Sequence, residues 1–243
     1  MKAIILAAGL GNRLLPLTED VPKCLVQVNE VSILERELDA LHRNFITEVI
    51  LIVGYRKEKI LGKIGCSYKG IKINYIENNK FNETNNVFSL WLAREHMKEG
   101  CILIEGDVVF DECILADLLQ TDPKKSFWVV DDFSVEMNGC MLSTNSSFVI
   151  QTIEIIRTQM PTVRNNSYKS VGILKISPLF GSIFGKWLDE CVKKGQTKIY
   201  YDLVIANHIK EYPIHILKVK SARWTEIDTV EDLGQANRLF KKL

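Results

Sequence analysis

Short apolar runs alternate along this chain with stretches whose apolar positions recur every three or four residues. Residues 2–7 (Lys-Ala-Ile-Ile-Leu-Ala), 48–53 (Glu-Val-Ile-Leu-Ile-Val), 71–76 and 101–105 read as strands. Three of them are apolar at nearly every position, as strands buried on both faces are, while 71–76 places Lys72 and Asn74 between apolar residues. Between them, residues 32–44, 57–64 and 86–98 carry the helical period, with Ser32 placed to cap the first. This β-α-β-α rhythm predicts a parallel sheet covered by helices on both faces, joined by right-handed crossovers.

The rhythm changes after Asp122-Pro123. Residues 126–130, 139–142, 148–155 and 171–177 read as strands with hairpin-type connections, and 178–194 and 201–211 as helices. Residues 215–219 and 224–227 complete the strands. Thr229-Val-Glu-Asp232 has the spacing of a capping box opening a last helix. The pattern predicts an α/β fold, a mixed and mostly parallel sheet flanked by helices with a small β-rich insertion. With no linker, repeat or low-complexity tract, it predicts one domain over residues 1–243, in which about 124–169 form the β-rich subregion.

Composition narrows the function classes. The 243 residues are 47% apolar and 25% charged, with a formal net charge of +1. That balance gives no global field for nucleic acid or a membrane surface, so a site for anions must be local. The six cysteines are scattered, with no C-x-x-C pair and no histidine at zinc-ligand spacing. They are expected to be reduced and mostly buried. The apolar start is too short for a secretory signal and no run approaches a membrane span, so a cytoplasmic location is expected.

Candidate chemistry clusters at three places. The first strand runs into Ala8-Gly-Leu-Gly-Asn-Arg13, followed by Pro16-Leu17-Thr18 and Pro22-Lys23. Glycines let the backbone turn tightly and bring N–H groups near an anion, Arg13 adds a forked cation and Lys23 a point charge. A plain strand-to-helix turn would also use two glycines; the cations around them point to a polyphosphate. The Gly-Lys-Ser/Thr ending of a P-loop and the third glycine of the dinucleotide fingerprint are both missing.

Asp107 ends the run Ile102-Leu-Ile-Glu-Gly-Asp. It lies where open α/β sheets bind ligands, and Gly106 would allow close approach to the backbone. A turn or capping aspartate would look the same. Glu226 and Asp228, two apart on a strand, share a face, where like charges call for a cation. Oxygen-only ligands beside phosphates select a hard ion, most simply Mg²⁺. The four histidines receive no role.

The motifs Leu6-Ala-Ala-Gly-Leu-Gly-Asn-Arg13-Leu-Leu-Pro-Leu-Thr18 and Pro22-Lys23-Cys-Leu25 resemble those of the nucleotidyltransferases that join a nucleoside triphosphate to a phosphorylated acceptor and release pyrophosphate. Asp107 and the Glu226-Ile-Asp228 segment look like that family's metal-binding acidic residues. Asn85-Asn86-Val-Phe-Ser-Leu90 resembles the segment of cytidylyltransferases acting on phosphocholine and similar zwitterions. The sugar-nucleotide branch carries a Gly-Leu-Ala-rich segment where this chain has Asn78-Asn-Lys-Phe-Asn-Glu-Thr-Asn-Asn86.

The resemblance implies a Rossmann-like fold of the nucleotide-diphospho-sugar transferase type, acting on CTP and a small phosphorylated or phosphonate acceptor as a monomer or homodimer. Leu6, Ala7, Ala8, Gly9, Leu10, Gly11, Asn12, Arg13, Lys23, Asn78, Lys80, Asn85 and Gly106 would contact the nucleotide, with Arg13 and Lys23 catalytic. Asp107, Glu226 and Asp228 would hold Mg²⁺. Asn86, Trp128, Asp132, Tyr201, Asp202 and Trp224 would receive the acceptor, their rings and carboxylates suiting a choline-like head. The alternatives are a sugar-1-phosphate nucleotidyltransferase using UTP, dTTP or GTP, and an inactive nucleotide-binding regulatory protein.

Overall fold

A computed structural model describes residues 1–134, 136–157 and 166–241. Fourteen strands are described: β1 (Lys2–Ala7), β2 (Gln27–Val28), β3 (Val31–Ser32), β4 (Glu48–Val53), β5 (Ser67–Tyr68), β6 (Ile71–Glu77), β7 (Cys101–Glu105), β8 (Val108–Phe110), β9 (Ser126–Asp132), β10 (Gly139–Thr144), β11 (Ile150–Ile156), β12 (Ser167–Ile176), β13 (Ile214–Lys218) and β14 (Trp224–Glu226). The helices are α1 (Ile33–Arg43), α2 (Lys57–Ile64), α3 (Asn86–Leu92), α4 (Cys113–Leu119), α5 (Pro178–Lys193), α6 (Tyr201–Asn207) and α7 (Val230–Leu239).

The main sheet runs β11-β10-β12-β7-β1-β4-β6-β5, with β9 beside β12 and β13 beside β9. Its centre, β7-β1-β4-β6, is parallel, and β12 returns antiparallel along β7. The class is therefore the expected α/β one. Alternation explains why both sheet faces are covered. Ala3, Ile5, Val49, Leu51, Ile102 and Ile104 pack on one side with the apolar faces of α1, α2 and α4. Ile4, Ile50, Ile52 and Leu103 pack on the other with α3, α5 and α6.

The strands of the β-rich stretch are not a separate layer: β10 and β11 lengthen the main sheet at its edge. Two expected helices are shorter than their apolar period. The one expected over 86–98 stops at Leu92 and gives way to a 3₁₀ stretch, Arg94–Glu99; the one expected over 201–211 stops at Asn207. The hairpin β2-β3, β5, β8 and α4 were not anticipated, being too short to show a period. Six free thiols are present: Cys24, Cys101 and Cys191 are buried, Cys140 is half-buried, and Cys66 and Cys113 are exposed, so burial is less general than expected.

A third, smaller core decides where function sits. Leu14, Val26, Val28, Ile33, Val109, Ile227, Ala236 and Phe240 pack together under α7. Leu14 follows Arg13, Val26 lies three residues past Lys23, Val109 two past Asp107, and Ile227 directly precedes Asp228. One apolar knot thus pins four loops from distant parts of the chain. The backbone reinforces it: β14 pairs antiparallel with β8, the Ile227 N–H donates to the Asp107 carbonyl at 2.9 Å, and the capping box Thr229–Asp232 starts α7. Among the described residues, no helix is long and apolar enough to cross a membrane.

Candidate active site

Above the C-terminal ends of the parallel strands lies a cleft of about 630 Å³, within the range of small-molecule sites. One end is built by the loop after β1. Gly11 sits at φ 66°, and a Cβ there would come within 3.0 Å of the Lys23 Cβ, so the turn itself requires glycine. A Cβ on Gly9 would meet nothing within 4 Å; its bare backbone leaves room for a ligand rather than for the fold. Among the described residues, none of the N–H groups from Gly9 to Asn12 donates to another protein group. Orphan donors in a glycine turn form a cradle for an anion.

Beside that cradle the Lys23 ammonium bridges two carboxylates, at 2.6 Å from Asp107 Oδ2 and 2.6 Å from Asp228 Oδ1. Arg13 Nη2 reaches the same Asp228 oxygen at 2.8 Å while most of its side chain stays exposed. Burial opposes the Lys23 charge, but the two aspartates outweigh it and hold the ammonium above its ordinary pKa. Burial also opposes ionisation of Asp228, and Lys23 and Arg13 overcome it, keeping the carboxyl below its ordinary value. Asp107 Oδ1 is buried with no hydrogen-bond partner, an acceptor left open in a charged site. Gly106 serves close packing: a Cβ there would fall 2.7 Å from the Leu6 carbonyl, pushing the Asp107 loop off β1.

Glu226, expected beside the two aspartates, is committed elsewhere. Both its oxygens accept from Lys169 at 2.8 Å. Lys169 is buried, and Glu226 holds its ammonium charged against that burial. Among the described residues no three carboxylate, histidine or cysteine side chains converge on one metal position.

The other end of the cleft is acidic. Glu105 Oε1 accepts from the Tyr201 hydroxyl at 2.7 Å, and burial, then Asp202 and Asp107, push its carboxyl well above the ordinary range. Asp202 is 4% exposed, and burial raises it to about 6. Tyr200 also lines this end, with the Arg157 guanidinium 6.0 Å from its ring centre.

Of the residues expected at the nucleotide, the cleft is lined by Leu6, Ala7, Ala8, Gly9, Gly11, Asn12, Arg13, Lys23, Asn78, Asn85 and Gly106. Leu10 and Lys80 are not among its walls; the Lys80 ammonium lies over the Phe88 ring instead. The Asn78 amide is spent inside the protein, donating to Thr84 and Ser89 and accepting from the Lys80 N–H, so it braces the loop. Of the expected acceptor residues, Asn86 and Asp202 line the cleft. Trp128 is fully buried, its N–H on Ser170 and its ring stacked with Tyr201, which is equally buried. Trp224 gives its N–H to Asp131, and Asp132 pairs at the exposed surface with Lys218. Glu105, Lys169, Tyr200 and Arg157 were missed. Two left signals: Glu105 is two residues before Asp107 in the same run, and Lys169 is a cation inside the mostly buried β12, as is Lys175 further along it.

Comparison with known proteins follows the same lines. The model of the nucleotidyl transferase family matches residues 2–154. The chain is 29% identical over 244 residues to the choline-phosphate cytidylyltransferase of Streptococcus pneumoniae, covering 99% of each. It is 27% identical to the 2-aminoethylphosphonate cytidylyltransferase of Lancefieldella rimae, covering 96% of this chain and 90% of that one. The solved structure of the S. pneumoniae CTP:phosphocholine cytidylyltransferase superposes with a TM-score of 0.83 at 27% identity over 99% of both chains. A putative glucose-1-phosphate thymidylyltransferase from Bacillus anthracis shares the fold, with a TM-score of 0.82 at 20% identity over 100% of this chain and 96% of that one.

Proposed function

The chain belongs to the nucleotidyl transferase family, and we propose that it transfers CMP from CTP to a small zwitterion bearing a phosphate or phosphonate, releasing pyrophosphate. The observation that carries this is Lys23 held between Asp107 and Asp228, facing a loop of unpaired N–H groups. CTP and the acceptor class rest on end-to-end similarity to two cytidylyltransferases named for such acceptors.

An acceptor oxygen attacks the α-phosphorus, a new P–O bond forms, and the bond to the β-phosphate breaks with its electron pair leaving on pyrophosphate. The acceptor needs no general base, because its phosphoryl group is largely ionised at neutral pH. The Gly9–Asn12 N–H groups and Arg13 bind the outgoing phosphates, and Lys23 meets the charge growing at the α-phosphate. Catalysis is positioning and charge stabilisation by groups fixed before substrate arrives.

Asp107 and Asp228 suit a hard cation: all donors are oxygens, and Asp107 Oδ1 has none of its capacity used. Mg²⁺ held there would neutralise triphosphate charge in the manner of other phosphoryl-transfer sites. Glu226 is left out of that set, since Lys169 takes both its oxygens, whereas Lys23 takes one oxygen of each aspartate. The free thiols and the use of CTP fit a reducing, cytoplasmic compartment.

A pyrophosphate-release screen tests the proposal. CTP, UTP, dTTP and GTP are each offered with phosphocholine, phosphoethanolamine, 2-aminoethylphosphonate and glucose 1-phosphate. Turnover confined to CTP with the nitrogen-bearing acceptors is expected. Preference for glucose 1-phosphate with UTP or dTTP, or nucleotide binding without turnover, refutes it.

A further inference from the structure

We propose that the acidic end of the cleft selects acceptors whose cationic nitrogen carries N–H bonds, and that Asp202 and Glu105 are the residues that read it. The inference rests on the cytidylyl-transfer reading above and goes beyond it by naming the acceptor's head group.

Two kinds of site hold a small organic cation. A fully methylated ammonium has no donor and is gripped by aromatic faces. A primary ammonium carries three N–H donors and is gripped by carboxylates through short charge-assisted hydrogen bonds. This cleft offers little of the first kind. Trp128 and Tyr201 are 0% exposed and packed on one another, and the Trp224 N–H is tied to Asp131. Among the described residues that line the cleft the aromatic rings are Phe81 and Tyr200, and Arg157 lies over Tyr200.

The second kind is present. Glu105, Asp202 and Glu226 all line this end of the cleft. Lys169 reaches both oxygens of Glu226 and leaves the other two carboxylates without an ion-pair partner among the described residues. Asp202 is nine-tenths buried and lines the cleft. Its hydrogen bonds come from the weakly donating Cys140 thiol and its own backbone. Glu105 uses one oxygen on the Tyr201 hydroxyl and, among the described residues, has no hydrogen bond on the other. Burying a carboxylate without a matching donor is costly, and an incoming ammonium with N–H groups relieves that cost where a trimethylammonium cannot. The Tyr201–Glu105 bond and the Trp128–Tyr201 stack fix the two carboxylates in place before the acceptor arrives.

The test is the series phosphoethanolamine, its N-methyl and N,N-dimethyl forms, and phosphocholine, with CTP and Mg²⁺ on the intact protein. A site built on hydrogen bonds rejects analogues that lack the donor, so kcat/KM should fall at the third methyl by about a hundredfold or more. Phosphocholine turned over as well as phosphoethanolamine overturns the inference and leaves cytidylyl transfer standing. Loss of turnover with every acceptor removes both. Asp202→Asn keeps the shape and removes the charge. It should lower kcat/KM for phosphoethanolamine by about a hundredfold while leaving the KM for CTP within about twofold. An equal loss with phosphocholine, or a raised KM for CTP, also overturns it.

Discussion

The two ends of the cleft differ in how they are made. The end proposed for the nucleotide comes mainly from one segment, residues 6–25; the N–H groups of its glycine turn are unpaired among the described residues, while Arg13 and Lys23 are held on Asp107 and Asp228. The end proposed for the acceptor is assembled from β7, β10, β12, α6 and β14, and it sinks three carboxylates in the protein against one buried lysine, Lys169. An anion that many proteins share can be met by a local backbone turn. A small head group is distinguished by side chains converging from several elements. The small core of Leu14, Val26, Val109 and Ile227 joins the two ends by fixing Arg13, Lys23, Asp107 and Asp228 against each other.

The largest expected effect lies where the two ends meet. Asp107→Ala and Asp228→Ala should each lower kcat by a factor of about 10³ or more, the scale of losing one preorganised charge, roughly 4 kcal/mol. The fold should persist, because neither side chain belongs to the apolar knot. Steady-state pyrophosphate release and circular dichroism on the same samples measure this. Either variant retaining full activity with Mg²⁺ limiting would remove the aspartates from the reaction and leave the two ends unconnected.

A second effect belongs to the acidic end alone. The Asp202 carboxyl is raised from its ordinary 3.8 to about 6 by burial. Below pH 3.8 it is protonated in folded and unfolded chains and costs nothing. Between 3.8 and about 6 the unfolded chain ionises first, so stability falls as pH rises, and above that the loss is constant. Asn at this position lacks the titration. Thermal melts should therefore show Asp202→Asn gaining on the parent protein from pH 4 to pH 6.5, by at most on the order of 3 kcal/mol. A difference independent of pH would mean that Asp202 has an ion partner in solution, and the contrast between the two ends would weaken.

How much of this is legible in the sequence follows the same division. The apolar runs that became β1, β4 and β7 announce a sheet buried on both faces, because each needs only its neighbours' side chains to declare itself. The Gly9–Arg13 turn, Asp107 and Asp228 are legible for a like reason, each lying just past the end of a strand, and Lys23 is legible from its Pro-Lys motif in the same N-terminal segment. The acceptor end is not legible. Whether Trp128, Tyr201 or Trp224 faces a cleft or a core depends on β9 lying between β12 and β13 and on α6 docking beneath, which no local period encodes. Lys169 shows the limit from the other side. Its charge inside β12 is visible, but its partner Glu226 lies 57 residues away, and only the strand pairing reveals that Glu226 is taken.

The smallest expected effect sharpens where the acceptor end stops. Trp224 sits two residues before Glu226, yet its indole N–H is fixed on Asp131 at 2.8 Å and its ring packs against the apolar cluster on the α1 side of the sheet. Trp224→Phe keeps a ring and deletes one partly buried hydrogen bond, a loss of about 1 kcal/mol. For a chain of this length that is roughly 2–4 °C in the thermal midpoint. The KM for the acceptor should stay within about twofold, since nothing that touches it has changed. If the midpoint holds while that KM rises severalfold, the indole grips the head group, an aromatic cage governs the acceptor end, and carboxylate recognition gives way to cation–π attraction.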